Sequence, residues 1–444
     1  MASGLARRLL NSTAKHASVL SLLFVALLSS ALLGAANSQR NPVAVKVGPP
    51  PAGVYHSAFP DFGPEEDNVI AERITDFERL VQKKIVWAYF SNNWFDGIQF
   101  PATEVRIIHD LGVIPFTRMM PRSNLDRHSA DPIYTMQRII NGDFDKDLRG
   151  WSQGAREYGG PLMAEFGTEV NGNWFPWSGM YSSGSETKSY GNPSLADGPE
   201  RFRDAYRHII DICRREGAQN ITWVFHVNDG SFPQEPWNTM AAYYPGDDYI
   251  DWIGVSVYGA GQPGEEWQLF SNLMDTAYPE LAAISKNRPL AVLEYGVVDD
   301  PKTGDKASWI HDALQSVKSG RYPRIKAMSY WHEDWENDGS VSNMRLDSSP
   351  EALDAYRKEI TSAFFVTEAY FIGSSQSTTV QTTATSFSTS SFVKSPQSAL
   401  EETSTITTQS ARQPVDLYLI AVVAVIGAAI LVTFSFRLRK RNRS

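Results

Sequence analysis

The spacing of strand-length apolar runs constrains the fold of this chain more than any other feature of its sequence. Eight such runs follow one another, and neighbouring starts are separated by roughly 39 residues on average, which is enough for a strand, a loop, a helix and a second loop. The runs begin near Gly53, Ile85, Val113, Leu162, Ile221, Asp251, Leu290 and Ile325. This regular spacing predicts eight strands that alternate with helices.

Several intervals between the runs carry the spacing of an amphipathic helix. Helical patterns cover residues 65–82, 200–216 and 306–318. Strands that alternate with helices form a parallel sheet, and eight units close it into an α/β fold of the (β/α)8 TIM-barrel type, which we place at residues 53–365. A doubly wound open sheet is the alternative, but no glycine-rich phosphate-binding fingerprint follows any of the runs.

Polar and aromatic side chains gather where the predicted strands end. Loops that leave the carboxyl ends of barrel strands surround one mouth, so residues far apart in the chain meet there. The strand ends carry His56, Asn92, Trp94, Arg118, Glu169, His226, Asn228, Tyr258, Glu294, Trp331 and His332. Such a gathering indicates an active site. The histidines end different strands and lack a local ligand spacing, so neither a metal nor a cofactor is predicted.

Two of these residues are carboxylates: Glu169 ends the fourth predicted strand and Glu294 ends the seventh. Two carboxylates are the minimum for cleaving a glycosidic bond, because one protonates the leaving oxygen while the other attacks or stabilises the anomeric carbon. These opposite roles require different pKa values. The alternative for either glutamate is an ion pair with a Lys or Arg inside the barrel.

Four aromatic residues lie at or just after the strand ends: Trp174, Trp177, Tyr258 and Trp331. An aromatic ring packs against the C–H face of a sugar, while the sugar hydroxyls need polar partners at its edges. Each ring alone is equally consistent with ordinary packing. The cluster favours a carbohydrate substrate.

The segment GTEVNGNWFPW, residues 167–177, resembles the acid/base motif of glycoside hydrolase family 26, a β-mannanase family in the large clan of retaining (β/α)8 glycosidases. LAVLEYG resembles that family's nucleophile strand, and the stretch from AMSYW to DAYR resembles its last strand and following helix. The resemblance covers roughly residues 53–363. It implies Glu169 as acid/base, Glu294 as nucleophile, Trp174 and Trp331 as walls beside the scissile bond, and Tyr258 as the phenol that hydrogen-bonds the nucleophile.

Two positions depart from the family's mannanases. Those enzymes commonly carry His directly before the acid/base and Arg three residues before that His, whereas this chain has Thr168 and Glu165. Arg118 is a candidate replacement cation, with a structural ion pair as the alternative. Together with Thr168 and His226, it completes the predicted substrate-binding set.

These features predict a retaining endo-β-glycosidase that hydrolyses β-1,4-mannan by double displacement. Thr168 and Glu165 keep a mixed-linkage β-glucanase and a β-1,3-xylanase open on the same scaffold. A tethered carbohydrate-binding protein without catalysis is the alternative from another class.

The two ends of the chain predict a protein of the cell surface. An uncharged apolar run of about 20 residues is followed by five cations, which predicts a membrane span with a cytoplasmic C-terminus. For the N-terminal segment, the alternative to a cleaved signal peptide is an uncleaved anchor. For the C-terminal run, the alternative to a membrane span is a buried core helix. The expected partners are a β-linked polysaccharide and, through this helix, the membrane; a net charge of -9 argues against nucleic acid.

The predicted segments are a signal peptide at 1–36, an N-terminal linker at 37–52, the barrel at 53–365, a Ser/Thr-rich linker at 366–416, the transmembrane helix at 417–436 and a basic tail at 437–444.

Overall fold

The computed structural model of this protein describes residues 45–337 and 339–373. The strands in these residues, numbered in chain order, are β1 Lys46–Gly48, β2 Val54–Phe59, β3 Trp87–Asn93, β4 Ile114–Met120, β5 Leu162–Phe166, β6 Ile221–Asn228, β7 Trp252–Tyr258, β8 Leu290–Gly296, β9 Ile325–Trp331, β10 Asp334–Asn337, β11 Ser340–Asn343, β12 Phe365–Val366 and β13 Tyr370–Ile372. The helices are α1 Ala71–Val81, α2 Ala102–Asp110, α3 Met136–Ile140, α4 Asp145–Tyr158, α5 Asp197–Arg215, α6 Phe270–Ile284, α7 Lys306–Lys318 and α8 Pro350–Ile360.

Strands β2 to β9 form a closed parallel barrel. Each strand pairs with the next, and β9 returns to β2, where Trp331 lies opposite Phe59. The barrel strands are almost entirely buried because side chains fill the interior and helices cover the outside, which explains why their sequences are apolar runs without strict alternation. The predicted (β/α)8 barrel is confirmed, and all eight strands begin within two residues of the predicted starts.

Of the three predicted helices, the one with a side-chain N-cap has the predicted start. Helix α7 has the predicted bounds, because the Asp305 side chain accepts hydrogen bonds from the backbone N–H groups of Ala307 and Ser308. Helix α5 begins at Asp197 instead of residue 200. Helix α1 begins at residue 71 rather than at 65, because Glu66 adopts a left-handed φ of 59° and Ile70 is still extended, with φ -127° and ψ 146°.

Short strands extend the folded unit beyond both predicted limits of the barrel. Strand β1, inside the predicted 37–52 linker, pairs antiparallel with β13, inside the predicted 366–416 linker. The Tyr55 hydroxyl donates to the Gly48 carbonyl (2.7 Å) and accepts from the Tyr370 N–H (2.8 Å), so both strands are tied to the barrel. We call β1 with β13 the terminal sheet. Folded structure therefore runs from residue 46 to 372 instead of from 53 to 365.

Other predicted segments lie outside the described residues: the signal peptide at 1–36, the Ser/Thr-rich linker after residue 373, the transmembrane helix at 417–436 and the tail at 437–444. Among residues 45–337 and 339–373, no helix combines the length and the apolar character needed to cross a bilayer.

Candidate active site

Glu294 lies near the carboxyl end of β8 and is held by two neighbours. Its side chain is only 4% exposed. The hydroxyl of Tyr258, at the end of β7, donates a hydrogen bond to Oε2 of Glu294 at 2.9 Å. Nη2 of Arg118, on β4, lies 3.5 Å from Oε1. A strand, a phenol and a guanidinium therefore fix this carboxyl group in the barrel interior.

Glu169 lies on the turn that follows β5 and is partly exposed. The chain turns sharply because Gly167 and Glu169 both adopt positive φ, 63° and 50°. A left-handed conformation costs a non-glycine residue about 1 kcal/mol or more, so the surrounding structure must hold it. The Trp174 indole N–H donates to Oε2 of Glu169 at 2.7 Å, which joins the candidate acid/base to the first tryptophan of the motif.

Arg118 is surrounded by three carboxylates. Its Nη1 donates to Oε2 of Glu66 at 2.7 Å, and its Nε lies 3.5 Å from Oε1 of Glu165. Glu294 is the third partner. Because Arg118 is 2% exposed, it is placed to act on Glu294 and not to line the surface of the mouth, as its predicted substrate-binding role would require. The ion pairs of Arg118 agree with the structural alternative, and its role as a replacement cation beside the sugar stays a prediction.

The charges around Glu294 set its titration. Burial raises the pKa of Glu294 to about 7, the positive charge of Arg118 opposes this rise, and the negative charge of Glu169 adds to it. Glu169 and Glu294 are thus electrostatically linked, and Arg118 favours the ionised form of Glu294.

Thr168 and His226 are buried behind the turn. Oγ1 of Thr168 lies 2.8 Å from Nδ1 of His226, which also lies 3.1 Å from Oε2 of Glu165. The opposite ring nitrogen contacts the Ser256 hydroxyl at 2.8 Å, and the Tyr89 hydroxyl donates to Glu165 at 2.5 Å. Burial lowers the pKa of His226, but the charge of Glu165, the hydrogen bond to it and the charges of Glu294 and Glu169 together outweigh burial, so the net pKa is raised. Thr168 and His226, which were predicted to bind substrate, are instead hydrogen-bonded to each other inside the barrel.

The three tryptophans of the predicted site differ in how exposed they are. Trp331 is largely buried, stacks on Phe59 at 4.0 Å between ring centroids, and has Arg118 5.3 Å from its own ring centroid. Trp174 is partly exposed beside Glu169. Trp177 is 0% exposed, and its indole N–H donates to the Thr168 carbonyl at 2.6 Å. The prediction that Trp177 lines the substrate site is therefore corrected, because it packs in the core under the turn.

Two predicted strand-end histidines face away from the mouth. His56 has its ring nitrogens at 2.9 Å from the Tyr356 hydroxyl and 2.8 Å from the Lys84 carbonyl. His332 accepts a hydrogen bond from the Leu346 N–H at 3.0 Å. Burial lowers the pKa of His56 to about 4 and that of His332 to about 3, so both are neutral at physiological pH.

Sequence reasoning missed three acidic residues near the mouth. Glu333 accepts a hydrogen bond from the Trp331 indole at 3.0 Å, and burial, with the charge of Glu66, raises its pKa to about 9. Burial and the charge of Glu169 raise the pKa of Asp229 to about 7. Both acids directly follow a predicted strand end, so reading one residue further would have found them. Glu66 lies seven residues beyond the end of β2, in the loop before α1, and only the fold brings it to Arg118.

The geometry corresponds to a recognisable class. A (β/α)8 barrel that presents one glutamate after its fourth strand and one near the end of its seventh, with aromatic rings beside them, has the architecture of a glycoside hydrolase. Residues 129–310 match the family model described as glycosyl hydrolase family 26. Over these residues the chain is therefore similar to glycosyl hydrolase family 26, the family that its GTEVNGNWFPW segment resembles.

Similar proteins carry several substrate names. Endoglucanase H of Acetivibrio thermocellus is 30% identical over 290 residues, which cover 65% of this chain and 29% of that protein. A mannan endo-1,4-beta-mannosidase of Bifidobacterium adolescentis is 24% identical over 205 residues, 43% of this chain and 19% of that protein. Beta-1,3-xylanase TXYA of a Vibrio species is 22% identical over 261 residues, 52% of this chain and 50% of that protein. The chain thus spans half or less of the length of these relatives.

One solved structure supports the fold. The catalytic domain of an endo-beta-1,4-mannanase from Bacillus sp. JAMB-750 aligns with a TM-score of 0.50 and 19% identity, covering 71% of this chain and 87% of that one. A likeness at this identity concerns the barrel and its strand order.

Proposed function

We propose that the barrel hydrolyses internal bonds of a β-linked polysaccharide with retention of anomeric configuration. The observation that carries the proposal is the contrast between the two carboxyl groups. Glu294 is buried and bound by Tyr258 and Arg118, while Glu169 is partly exposed on a turn beside Trp174. A nucleophile and a proton donor need this difference in surroundings.

The proposed reaction has two displacements. In the first, an oxygen of ionised Glu294 bonds to the anomeric carbon, the bond from that carbon to the leaving oxygen breaks, and Glu169 gives its proton to that oxygen. In the second, ionised Glu169 takes a proton from water, the water oxygen bonds to the anomeric carbon, and the ester to Glu294 breaks. Tyr258 and Arg118 hold the Glu294 carboxyl group throughout.

The stereochemistry of the first product tests the mechanism. Proton NMR of a fresh digest should show the β-anomer before mutarotation. Initial formation of the α-anomer would mean inversion and would contradict the role of Glu294 as a nucleophile. Binding of polysaccharide without any turnover would favour the carbohydrate-binding alternative.

We propose a β-glucan as the first substrate and β-1,4-mannan as the second. The relevant residue is Thr168, whose hydroxyl is buried against His226. The imidazole that the family's mannanases commonly place directly before the acid/base is therefore replaced by a group that is not presented to the sugar. The longer match to an endoglucanase at 30% identity supports the same order.

A substrate panel separates these candidates. Purified residues 45–373 should be assayed on mixed-linkage β-glucan, β-1,4-mannan and β-1,3-xylan at equal mass concentration. We expect the highest initial rate of new reducing ends on the β-glucan. A higher rate on mannan would favour β-1,4-mannan, the substrate predicted from the sequence. A higher rate on β-1,3-xylan would contradict both the β-glucan and the mannan proposals.

We also propose that the full chain is a single-pass membrane protein with the barrel outside the cell. The apolar run at 417–436 and the five cations after it support this arrangement. The full chain should remain with membranes after an alkaline carbonate wash, whereas a chain that ends at residue 373 should not. Release of both would contradict the proposal.

A further inference from the structure

Phe232 is an exposed aromatic residue beside the turn that carries Glu169. It lies on the loop after β6 and is 40% exposed. Its ring centroid is 5.7 Å from that of Trp174, with an angle of 52° between the ring planes. A single exposed apolar side chain is ordinary in a soluble domain, so exposure alone does not indicate a site.

The loop that carries Phe232 is fixed to the turn by several hydrogen bonds. The Phe232 N–H donates to the Asn171 carbonyl at 2.8 Å, and the Asn171 side-chain amide donates to the carbonyls of Asn228 and Gly230 at 3.0 and 3.2 Å. The Asn238 amide donates to the same Asn171 carbonyl at 3.0 Å. An aromatic ring that is already held in place loses little conformational entropy when a ligand covers it.

The position of the two rings defines which sugar they would meet. Trp174 donates its indole N–H to Glu169, whereas Arg118, Tyr258 and Trp331 are grouped around Glu294. In the proposed reaction Glu169 protonates the oxygen of the departing sugar, so that sugar lies on the Glu169 side of the mouth. Phe232 extends the aromatic surface further along this side.

We propose that Phe232 and Trp174 form a subsite for the leaving group, where the C–H face of a pyranose on the reducing side of the cleaved bond packs on the two rings. The inference rests on the proposed function and deepens it. It predicts that Phe232 contributes to cleavage only when the leaving group is a sugar.

The test compares two leaving groups. Phe232→Ala and Phe232→Tyr are assayed on β-1,4-mannotetraose and a mixed-linkage glucotetraose, and on the β-glycosyl fluorides of the matching disaccharides, whose leaving group fills no sugar subsite. For Phe232→Ala, kcat/KM on the better tetrasaccharide should fall about 10-fold, the loss of roughly one aromatic contact. On the fluoride it should stay within about two-fold of wild type, and Phe232→Tyr should restore tetrasaccharide cleavage.

Phe371 supplies a matched control. It is 38% exposed and lies on β13 in the terminal sheet, which is bonded to the start of β6 and β7 and therefore sits at the opposite end of the barrel. Phe371→Ala should leave both activities unchanged. Equal losses on tetrasaccharide and fluoride, an unchanged Phe232→Ala, or the same selective loss in Phe371→Ala would overturn the proposal.

The outcomes also separate this inference from the proposed function. If wild type cleaves both substrates and Phe232→Ala cleaves them equally well, only the subsite is wrong. If wild type cleaves neither, the proposed function fails, and calorimetric titration with the tetrasaccharides tests the subsite alone. In that case Phe232→Ala should bind the tighter ligand about 10-fold more weakly, and equal affinity would overturn the subsite.

Discussion

The two candidate catalytic glutamates of this barrel lie in contrasting surroundings. Glu294 sits in a strand, buried beside the Arg118 guanidinium and the Tyr258 hydroxyl. Glu169 sits on a strained turn, partly exposed, with an indole as its hydrogen-bond donor. In the proposed mechanism, the strand would hold the attacking oxygen of Glu294 in place, whereas the turn would give Glu169 access to water and to the leaving group. The barrel thus holds one carboxyl group in a buried strand and presents the other to solvent on a turn.

Removal of each glutamate should produce the largest effects and should distinguish the two surroundings. Glu294→Ala should lower kcat by roughly 10⁴-fold or more on every substrate, because no covalent intermediate can form. Glu169→Ala should lower kcat/KM by about 10²- to 10⁴-fold on polysaccharide but much less on a glycosyl fluoride, whose departure needs no proton. The exposed Glu157→Ala on α4 is the control. Wild-type hydrolysis by Glu294→Ala would refute the assignment.

Changes around Arg118 should produce shifts of opposite sign in the pH profile. Arg118 lowers the pKa of Glu294, which burial has raised to about 7, so Arg118→Lys, with poorer reach to Glu294, should raise it. Activity requires ionised Glu294, so the acidic limb of kcat/KM should move to higher pH. Glu66→Gln removes a competing partner of Arg118 and a negative charge, so the same limb should move to lower pH.

A merely structural Arg118 would leave both acidic limbs unmoved. Loss of one partner from a buried ion pair can cost about 3 to 5 kcal/mol of stability, so thermal unfolding of each variant should be measured beside the profile. Glu66→Gln removes the more exposed partner and tests the sign of the shift if Arg118→Lys folds poorly.

The smallest effect on activity is expected at Trp177. Trp177→Phe should lower the free energy of unfolding by about 2 kcal/mol, because a core indole and its hydrogen bond to Thr168 are lost, while KM stays close to wild type. Trp174→Phe should do the opposite, lowering kcat with little change in melting temperature, because its indole N–H contacts Glu169. An increase in KM for Trp177→Phe would return this residue to the substrate site.

The fold was predictable because each barrel strand is buried on both faces and so leaves a continuous apolar run. Glu169 and Glu294 were placed in one mouth by the same reasoning, since strand ends converge whatever the distance along the chain. Their chemical roles remain predictions. The helix start at residue 71 was missed because a left-handed Glu66 has no sequence signal comparable to glycine.

Side-chain environments were harder to predict than strands. Arg118 faces Glu165 because these two residues are in register between β4 and β5, and sequence spacing alone does not determine that register. Trp174 and Trp177 belong to one short motif, yet the first is partly exposed and the second is buried. Which of them contacts ligand depends on how the turn closes, and that depends on Asn171 and the loop after β6.

The terminal sheet lies at the end of the barrel opposite the mouth. Lys46 pairs with Asp251 at 2.7 Å, and the Val47 carbonyl accepts from the Trp252 indole at 2.8 Å, both at the amino-terminal edge of β7. The chain therefore enters and leaves this domain on the face remote from Glu169 and Glu294. A long polymer that crosses the mouth would therefore not meet the terminal sheet, and tension applied between residues 46 and 372 would load the paired strands of that sheet before the barrel.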